Sequence, residues 1–129
     1  MELIQWSEKY SVGNFLIDGQ HKRLVSMINQ LHESMRGGKG KETLQKILDE
    51  LVKYTKEHFL TEEAMMKKAN YPEFIEHKAQ HDKLTEQAVA LQKSYTDGKA
   101  PLTMDVLNFL KNWLTNHIEG TDKKYRDKI

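Results

Sequence analysis

Apolar residues recur at alternating steps of three and four in four separate stretches of the chain, and this periodicity restricts the fold more than any other feature. Segments that contain glycine or proline separate the stretches. The pattern predicts four helices, at about 19–36, 41–69, 72–96 and 102–119. We expect an N-terminal arm before them and a short helical tail within 121–129. Strand-like alternation is not evident anywhere in the sequence.

Four amphipathic helices with short connections favour an all-α fold, an antiparallel up-down-up-down four-helix bundle. A chain of 129 residues can bury one core but not two, so we expect a single domain over 1–129. No apolar run is long enough to cross a bilayer, and the first residues lack the apolar core of a signal peptide. The sequence therefore predicts a soluble, cytoplasmic protein with no membrane association.

Charge and cysteine content exclude several classes of function. Lys and Arg number 20 against 19 Asp and Glu, so no basic excess suggests a nucleic-acid partner. The chain has no cysteine, which excludes disulfides, thiolate zinc sites and cysteine-ligated iron–sulfur clusters. Any bound metal must therefore be held by His, Asp or Glu.

Five of the six histidines and one glutamate lie at interior positions of the apolar stripes. They are His21, His58, Glu62, His77, His81 and His117. Only His32 lies off its stripe. The antiparallel topology brings the six interior side chains to the same half of the core. Each would cost on the order of 1–3 kcal/mol if it were buried without a partner, and a metal centre would remove that cost.

The spacing of these residues also indicates metal ligands. Two pairs lie one helical turn apart on one face, His58 with Glu62 and His77 with His81. Asp122 follows His117 by five residues, beyond Gly120, where a glycine break could turn its carboxylate back toward the site. Seven ligands are too many for one four-coordinate zinc, and five imidazoles exclude an all-oxygen site for calcium or magnesium. Two iron ions, bridged by both carboxylates and an oxo or hydroxo group, suit this set and leave one coordination position open.

The ligand pattern resembles that of the hemerythrins, and the surrounding sequence is similar to the bacterial single-domain members, the bacteriohemerythrins. The matching positions include Trp6, 12–14, 17–22, 58–59, 62–63, 71–72, 113–114 and 117–118. The resemblance covers essentially the whole chain, and all seven ligand positions are filled.

The resemblance implies a role for each candidate residue. His77, His81 and His117 would bind one iron, His21 and His58 the other, and Glu62 and Asp122 would bridge the two. Dioxygen would bind at the two-histidine iron. The candidates for the apolar wall of the oxygen pocket are Leu24, Phe59, Leu114 and Ile118. Leu84 is a visible departure, because many relatives are expected to carry phenylalanine there, and it concerns the shape of the pocket wall.

We therefore expect reversible dioxygen binding for storage, delivery or sensing, in a monomer without enzymatic activity that serves a protein redox or delivery partner. One alternative is a di-iron oxidase or ferroxidase. Ferritin-like enzymes carry Glu-x-x-His pairs, however, and no histidine here has a glutamate three residues before it. The other alternative is a module that senses oxygen, nitric oxide or iron and acts through a separate partner.

Overall fold

A computed structural model describes residues 3–99 and 101–125 of the protein. Its four long helices are α1 (Phe15–Arg36), α2 (Lys41–Lys68), α3 (Phe74–Thr96) and α4 (Met104–Asn116). The N-terminal arm contains a short 3-10 turn, Glu8–Tyr10. A π-helical segment, His117–Thr121, continues α4 and leads into a 3-10 turn, Asp122–Tyr125.

Short turns join helices that pack side by side, so consecutive helices run in opposite directions. α1 packs along α2, α2 packs along α3, and α4 packs against α1. No strand occurs in residues 3–99 or 101–125. The prediction of an all-α, up-down-up-down four-helix bundle is confirmed. No helix in the described part of the chain is both long and apolar enough to cross a membrane.

The apolar side chains form two clusters in the interior. The larger cluster fills most of the bundle and contains Leu24, Ile28, Leu48, Leu107 and Leu110 among its fully buried members. The smaller cluster combines Val12, Ile17, Met66, Tyr71 and Tyr125. It brings together the start of α1, the end of α2 and the C-terminal turn.

Side-chain caps set the first residues of two helices. Asn14 accepts a hydrogen bond from the backbone N–H of Ile17, so α1 begins at Phe15, four residues before the predicted start. Phe15 and Leu16 are exposed and contribute nothing to the apolar stripe, which is why the periodicity missed this turn. Thr103 caps α4 in the same way, through the backbone N–H of Val106.

The turn between α2 and α3 depends on a left-handed residue. Asn70 has φ of 54°, a conformation that asparagine tolerates better than most residues. The N–H of Tyr71 then reaches back to the carbonyl of Met66, at 2.9 Å. Pro72 lies within the turn, so α3 begins at Phe74 and not at the predicted residue 72.

The N-terminal arm is fastened to α1 by side-chain hydrogen bonds. The Asn29 amide group accepts from the backbone N–H of Ile4 and donates to its carbonyl oxygen, both at 2.8 Å. Asp18 accepts from the backbone N–H of Val12 at 2.8 Å and from the Ser11 hydroxyl at 2.6 Å. These bonds cover one flank of α1 with the arm.

His32 is buried, although it lies off the apolar stripe, and the inference that it lies outside the core is wrong. Its exposed fraction is 6%, and its Nδ1 has no hydrogen-bond partner. The reason is that α1 is covered by the arm as well as by α2 and α4, so its buried arc is wider than a single stripe. Val25 is buried on the same flank, one turn before Asn29. His32 lies nearly one turn after Asn29. His32 lies three turns from His21 and takes no part in the polar cluster described below.

Candidate metal centre

Seven polar side chains converge in one half of the core, and they come from α1, α2, α3 and the segment that follows α4. They are His21 from α1, His58 and Glu62 from α2, His77 and His81 from α3, and His117 and Asp122 from the chain that follows α4. None is more than 6% exposed. The structure thus brings together all seven residues that the sequence predicted as ligands.

Glu62 lies between histidines of three helices. Its Oε1 is 3.2 Å from Nε2 of His58, one turn earlier on α2, and 3.2 Å from Nε2 of His81 on α3. Its Oε2 is 3.7 Å from Nε2 of His21 on α1. The two oxygens of one carboxylate therefore face different histidines.

Asp122 has an equivalent position on the other side of the cluster. Its Oδ1 is 2.8 Å from Nε2 of His77 and 2.9 Å from Nε2 of His117. Its Oδ2 is 3.0 Å from Nε2 of His21. Asp122 and Glu62 are thus both placed to bridge between histidines of different helices.

The π-helical segment explains how Asp122 reaches the cluster. The backbone N–H of Asp122 donates to the carbonyls of His117 and Ile118, so the turn spans five residues. In an α-helix a side chain five residues after His117 would point to a different face, whereas the wider turn places it on the same one. The expectation of a break at Gly120 is wrong, because the helix widens there and does not end.

The ligand atoms of the cluster form no hydrogen bonds with one another, as is typical of atoms that bind a cation. The buried atoms without a hydrogen-bond partner are both ring nitrogens of His21, Nε2 of His58, His77, His81 and His117, Oε1 of Glu62, and both carboxylate oxygens of Asp122. Although many of these atoms are within 3.2 Å of an oxygen or nitrogen, they are not aligned as hydrogen bonds. Buried polar atoms left this way destabilise a fold, so the arrangement fits residues that share bound metal.

The ligand atoms form two overlapping groups, each with all its atoms within 4.8 Å of one another. One group contains Glu62, His77, His81, His117 and Asp122, and the other contains His21, His58, Glu62 and Asp122. Both carboxylates belong to both groups. This is the same division of histidines that the resemblance implies.

Burial and charge oppose each other at the titratable groups. Burial alone would lower the pKa of His21, but the negative charges of the neighbouring Asp122 and Glu62 carboxylates outweigh it and raise that pKa to about 9. Burial would raise the pKa of both carboxyl groups, but the surrounding histidines hold the pKa of Glu62 and of Asp122 below the usual range. Burial lowers the pKa of His58. The metal-free site therefore holds two ionised carboxylates at neutral pH, together with a proton on His21.

Two histidines are oriented by side chains to which the sequence analysis assigned no role. Gln20 Oε1 is 2.6 Å from Nδ1 of His58, and Glu63 Oε2 is 2.9 Å from Nδ1 of His81. When each Nδ1 donates its proton in this way, Nε2 keeps its lone pair for a metal. Both residues are polar and sequence neighbours of predicted ligands, which is the signal that could have identified them.

Aromatic rings enclose the cluster on two sides. Phe59 stacks on His81 with ring centroids 3.9 Å apart, and Tyr125 stacks on His77 at 5.5 Å. The buried Tyr125 hydroxyl also donates a hydrogen bond to Oε2 of Glu62. Burial raises the pKa of Tyr125, so the hydroxyl keeps its proton and remains a donor.

A small cavity adjoins the histidines on the side away from the carboxylates. Its volume is about 10 Å³, and it is lined by His21, His58, Phe59, Leu84, Trp113, Leu114 and His117. Phe59 and Leu114, two of the four predicted pocket residues, lie on its wall. Leu24 and Ile118 do not line it, although all four residues belong to the larger apolar cluster. We refer to this space as the inner cavity.

Comparison with known proteins places the chain in a family. A family model described as the hemerythrin HHE cation binding domain matches residues 12–129. The chain belongs to the hemerythrin family. It is 38% identical over 126 residues to a bacteriohemerythrin from Methylococcus capsulatus, with 97% of this chain and 95% of that protein covered. It is 31% identical over 129 residues to a bacteriohemerythrin from Stenotrophomonas maltophilia, with 100% of this chain and 83% of that protein covered.

Solved structures of hemerythrin agree with the fold described above. A wild-type hemerythrin superposes with a TM-score of 0.92 at 36% identity, over 98% of this chain and 97% of the other. The predicted resemblance to hemerythrins is confirmed. Family membership implies non-haem iron binding, and together with the His, Glu and Asp cluster it supports oxygen binding at a di-iron site.

Proposed function

We propose that this protein binds dioxygen reversibly at a centre of two iron ions, for oxygen storage, delivery or sensing. The observation that carries the proposal is the pair of overlapping ligand groups that share Glu62 and Asp122, next to a small apolar cavity. His77, His81 and His117 would hold one iron, and His21 and His58 the other, with the two carboxylates bridging. The iron ions, when bound, supply the electrons that dioxygen binding requires.

The protein's part is to hold the ligands rigidly before metal binds. Gln20 and Glu63 fix the orientation of two imidazoles, and Tyr125 fixes one carboxylate oxygen of Glu62. Preorganised donors of this kind raise metal affinity because less ordering is required on binding. The ligand groups are unequal, with three histidines in one and two in the other, so an iron ion held by His21 and His58 would be the one with a position free for dioxygen.

The wall of the inner cavity supports a carrier in preference to an oxidase. Apart from the histidines, the wall consists of Phe59, Leu84, Trp113 and Leu114. The only polar hydrogen among these four side chains is the indole N–H of Trp113, and it is donated to the carbonyl of Leu84 at 3.2 Å. An apolar wall without a free proton donor excludes water and favours release of dioxygen over its reductive breakdown.

Iron loading followed by absorption spectroscopy tests the proposal. Metal-free protein loaded anaerobically with ferrous iron should retain about two irons per chain by elemental analysis, because a bridging carboxylate needs two ions. The reduced protein should be nearly colourless, gain visible charge-transfer absorption in air, and lose part of it when oxygen is removed. Retention of zinc alone after anaerobic iron loading contradicts the proposal. Continuous oxygen consumption with a reductant or ferrous iron, without a recoverable adduct, supports the oxidase alternative instead.

A further inference from the structure

A groove open to solvent runs between α3 and α4, directly outside the inner cavity. Its volume is about 530 Å³. Its walls carry amide side chains from both helices, Gln80 and Gln87 from α3 and Asn112 and Asn116 from α4, beside apolar side chains such as Phe109. The groove is open to solvent and offers polar partners to water, whereas the inner cavity is enclosed by histidines and apolar side chains.

Three side chains line both the groove and the inner cavity. They are Leu84, Trp113 and His117. A single layer of side chains thus separates solvent from the inner cavity on this side. A small molecule that crosses this layer reaches the space beside His21 and His58.

Among these three side chains, only that of Leu84 is held by no polar contact. Trp113 is held by its hydrogen bond to the Leu84 carbonyl, and His117 lies 2.9 Å from Asp122 within the ligand cluster. The Leu84 side chain has no polar atom that could be held in this way, and its partly exposed position leaves it more room to change rotamer than a fully buried side chain has. Leu84 is also the only residue lining the inner cavity that is half-buried, since the other six are at most 7% exposed.

We propose that the groove between α3 and α4 is the path by which dioxygen reaches the inner cavity, and that the Leu84 side chain is its gate. This inference rests on the proposed function, because it concerns access to the same centre. An apolar gate suits a small uncharged gas, which carries no hydration shell into the layer. The size of residue 84 would then set the rate of binding and release more than the strength of binding.

Substitutions of opposite size at Leu84 test the gate in the iron-loaded protein. Leu84→Phe fills the layer and should slow dioxygen association and dissociation together, and Leu84→Ala should speed both, by roughly threefold or more. Because a gate acts on both directions alike, the equilibrium constant should change by less than either rate. Stopped-flow mixing of reduced protein with oxygen gives the association rate, and mixing of the adduct with an oxygen scavenger gives the dissociation rate.

Leu91 offers a matched control on the same helix. It is a half-buried leucine packed against the core, and it lines neither the groove nor the inner cavity. Leu91→Phe and Leu91→Ala should leave both rates close to those of the unaltered protein. Rates that change equally in the Leu84 and Leu91 variants overturn the gate. Leu84 variants that change only the dissociation rate also overturn the gate, because that result shows that Leu84 contacts bound dioxygen.

A second probe separates failure of the gate from failure of the proposed function. Nitric oxide is a small uncharged gas that binds ferrous iron, so its association with the reduced protein follows the same path without requiring reversible oxygen binding. If the unaltered protein forms no recoverable oxygen adduct, the proposed function fails, while the nitric oxide rates still report on the path. Slower nitric oxide association in Leu84→Phe and faster association in Leu84→Ala, against unchanged Leu91 variants, support the gate. Equal nitric oxide rates in all variants overturn it.

Discussion

The hydroxyl of Tyr125 donates a hydrogen bond to Oε2 of Glu62, and both side chains are fully buried. The two residues are 63 positions apart in the sequence, so this bond fastens the C-terminal 3-10 turn to α2. The same turn begins with Asp122, the second carboxylate of the cluster. Packing of the C-terminal turn against the bundle therefore places the Asp122 carboxylate in the cluster and orients the Glu62 carboxylate at the same time.

Tyr125→Phe should weaken both the fold and metal retention. The substitution keeps the ring that stacks on His77 but leaves Oε2 of Glu62 without its donor. Loss of a buried hydrogen bond to a charged group should lower the free energy of unfolding by about 1.5–3 kcal/mol. Urea unfolding of the metal-free protein measures the first effect, and competition with an iron chelator measures the second.

Tyr71→Phe is the control for the tail hydrogen bond. Tyr71 is a buried tyrosine in contact with Tyr125, but its hydroxyl donates to Glu73, away from the cluster. Its substitution should leave metal retention unchanged. Equal loss of metal in the two variants would mean that the tyrosines act only through packing.

Glu63→Gln should reduce iron affinity without unfolding the protein. The carboxylate of Glu63 accepts the Nδ1 proton of His81, which makes the imidazole a stronger donor at Nε2, and a neutral amide does so less well. Loss of such a partner should reduce affinity by about 10–100-fold in a chelator titration. Glu57→Gln, an exposed glutamate on the same helix, should have no effect. Matching affinities of the two variants would show that Glu63 does not support the metal.

His77→Ala and His32→Ala should separate metal binding from burial. His77 lies in the ligand cluster, so its loss should lower iron content and thermal stability together. His32 is buried away from the cluster, so its loss should lower the free energy of unfolding by about 1–3 kcal/mol and leave iron content unchanged. Elemental analysis after anaerobic loading distinguishes the two. Full iron content in His77→Ala would show that His77 is not a metal ligand.

His32 also shows where sequence periodicity reaches its limit. The stripes locate the helices because each buries one face against its neighbours, and they place five histidines correctly for the same reason. The arm that covers a second flank of α1 has no periodic signal, so the burial of His32 could not be predicted. The predicted break at Gly120 is wrong for a related reason, since a π-helical turn leaves no distinct sequence pattern.

Metal loading should release a proton from His21. The pKa of this imidazole is raised from 6.5 to about 9 in the metal-free protein, whereas a metal ligand must be neutral. Iron affinity should therefore rise with pH until about pH 9 and then level off. Titration in weakly buffered solution, followed with a pH indicator, measures the proton. An affinity that is independent of pH from about pH 7 to about pH 9 would contradict the charge on His21.

The same pKa predicts how stability of the metal-free protein depends on pH. A group whose pKa is raised by folding stabilises the fold below its unfolded pKa, and that contribution is lost as pH rises through the folded value. Metal-free protein should therefore become less stable as the pH rises from 6.5, the ordinary pKa of histidine, to about 9, the pKa of His21 in the folded protein. His21→Gln, which does not titrate, should remove most of this dependence in thermal unfolding scans.

Leu114→Ala should speed the irreversible conversion of the oxygen-bound protein to the diferric form. Leu114 is buried on the wall of the inner cavity, whose volume of about 10 Å³ is close to the least that can hold one water-sized molecule. Removal of its isopropyl group enlarges the cavity enough for additional water, which can supply the proton that the apolar wall withholds. The conversion should accelerate several-fold, measured as the decay of the visible band that disappears when oxygen is removed.

Leu110→Ala separates this effect from simple loss of stability. Leu110 is equally buried on α4, one turn earlier, and does not line the inner cavity. Both variants should lose about 2–5 kcal/mol of unfolding free energy, because each removes a buried leucine side chain. Only Leu114→Ala should convert faster, since only that change opens the cavity beside His21 and His58. Equal acceleration in both variants would assign the conversion to fluctuations of a weakened bundle and not to water at the cavity wall.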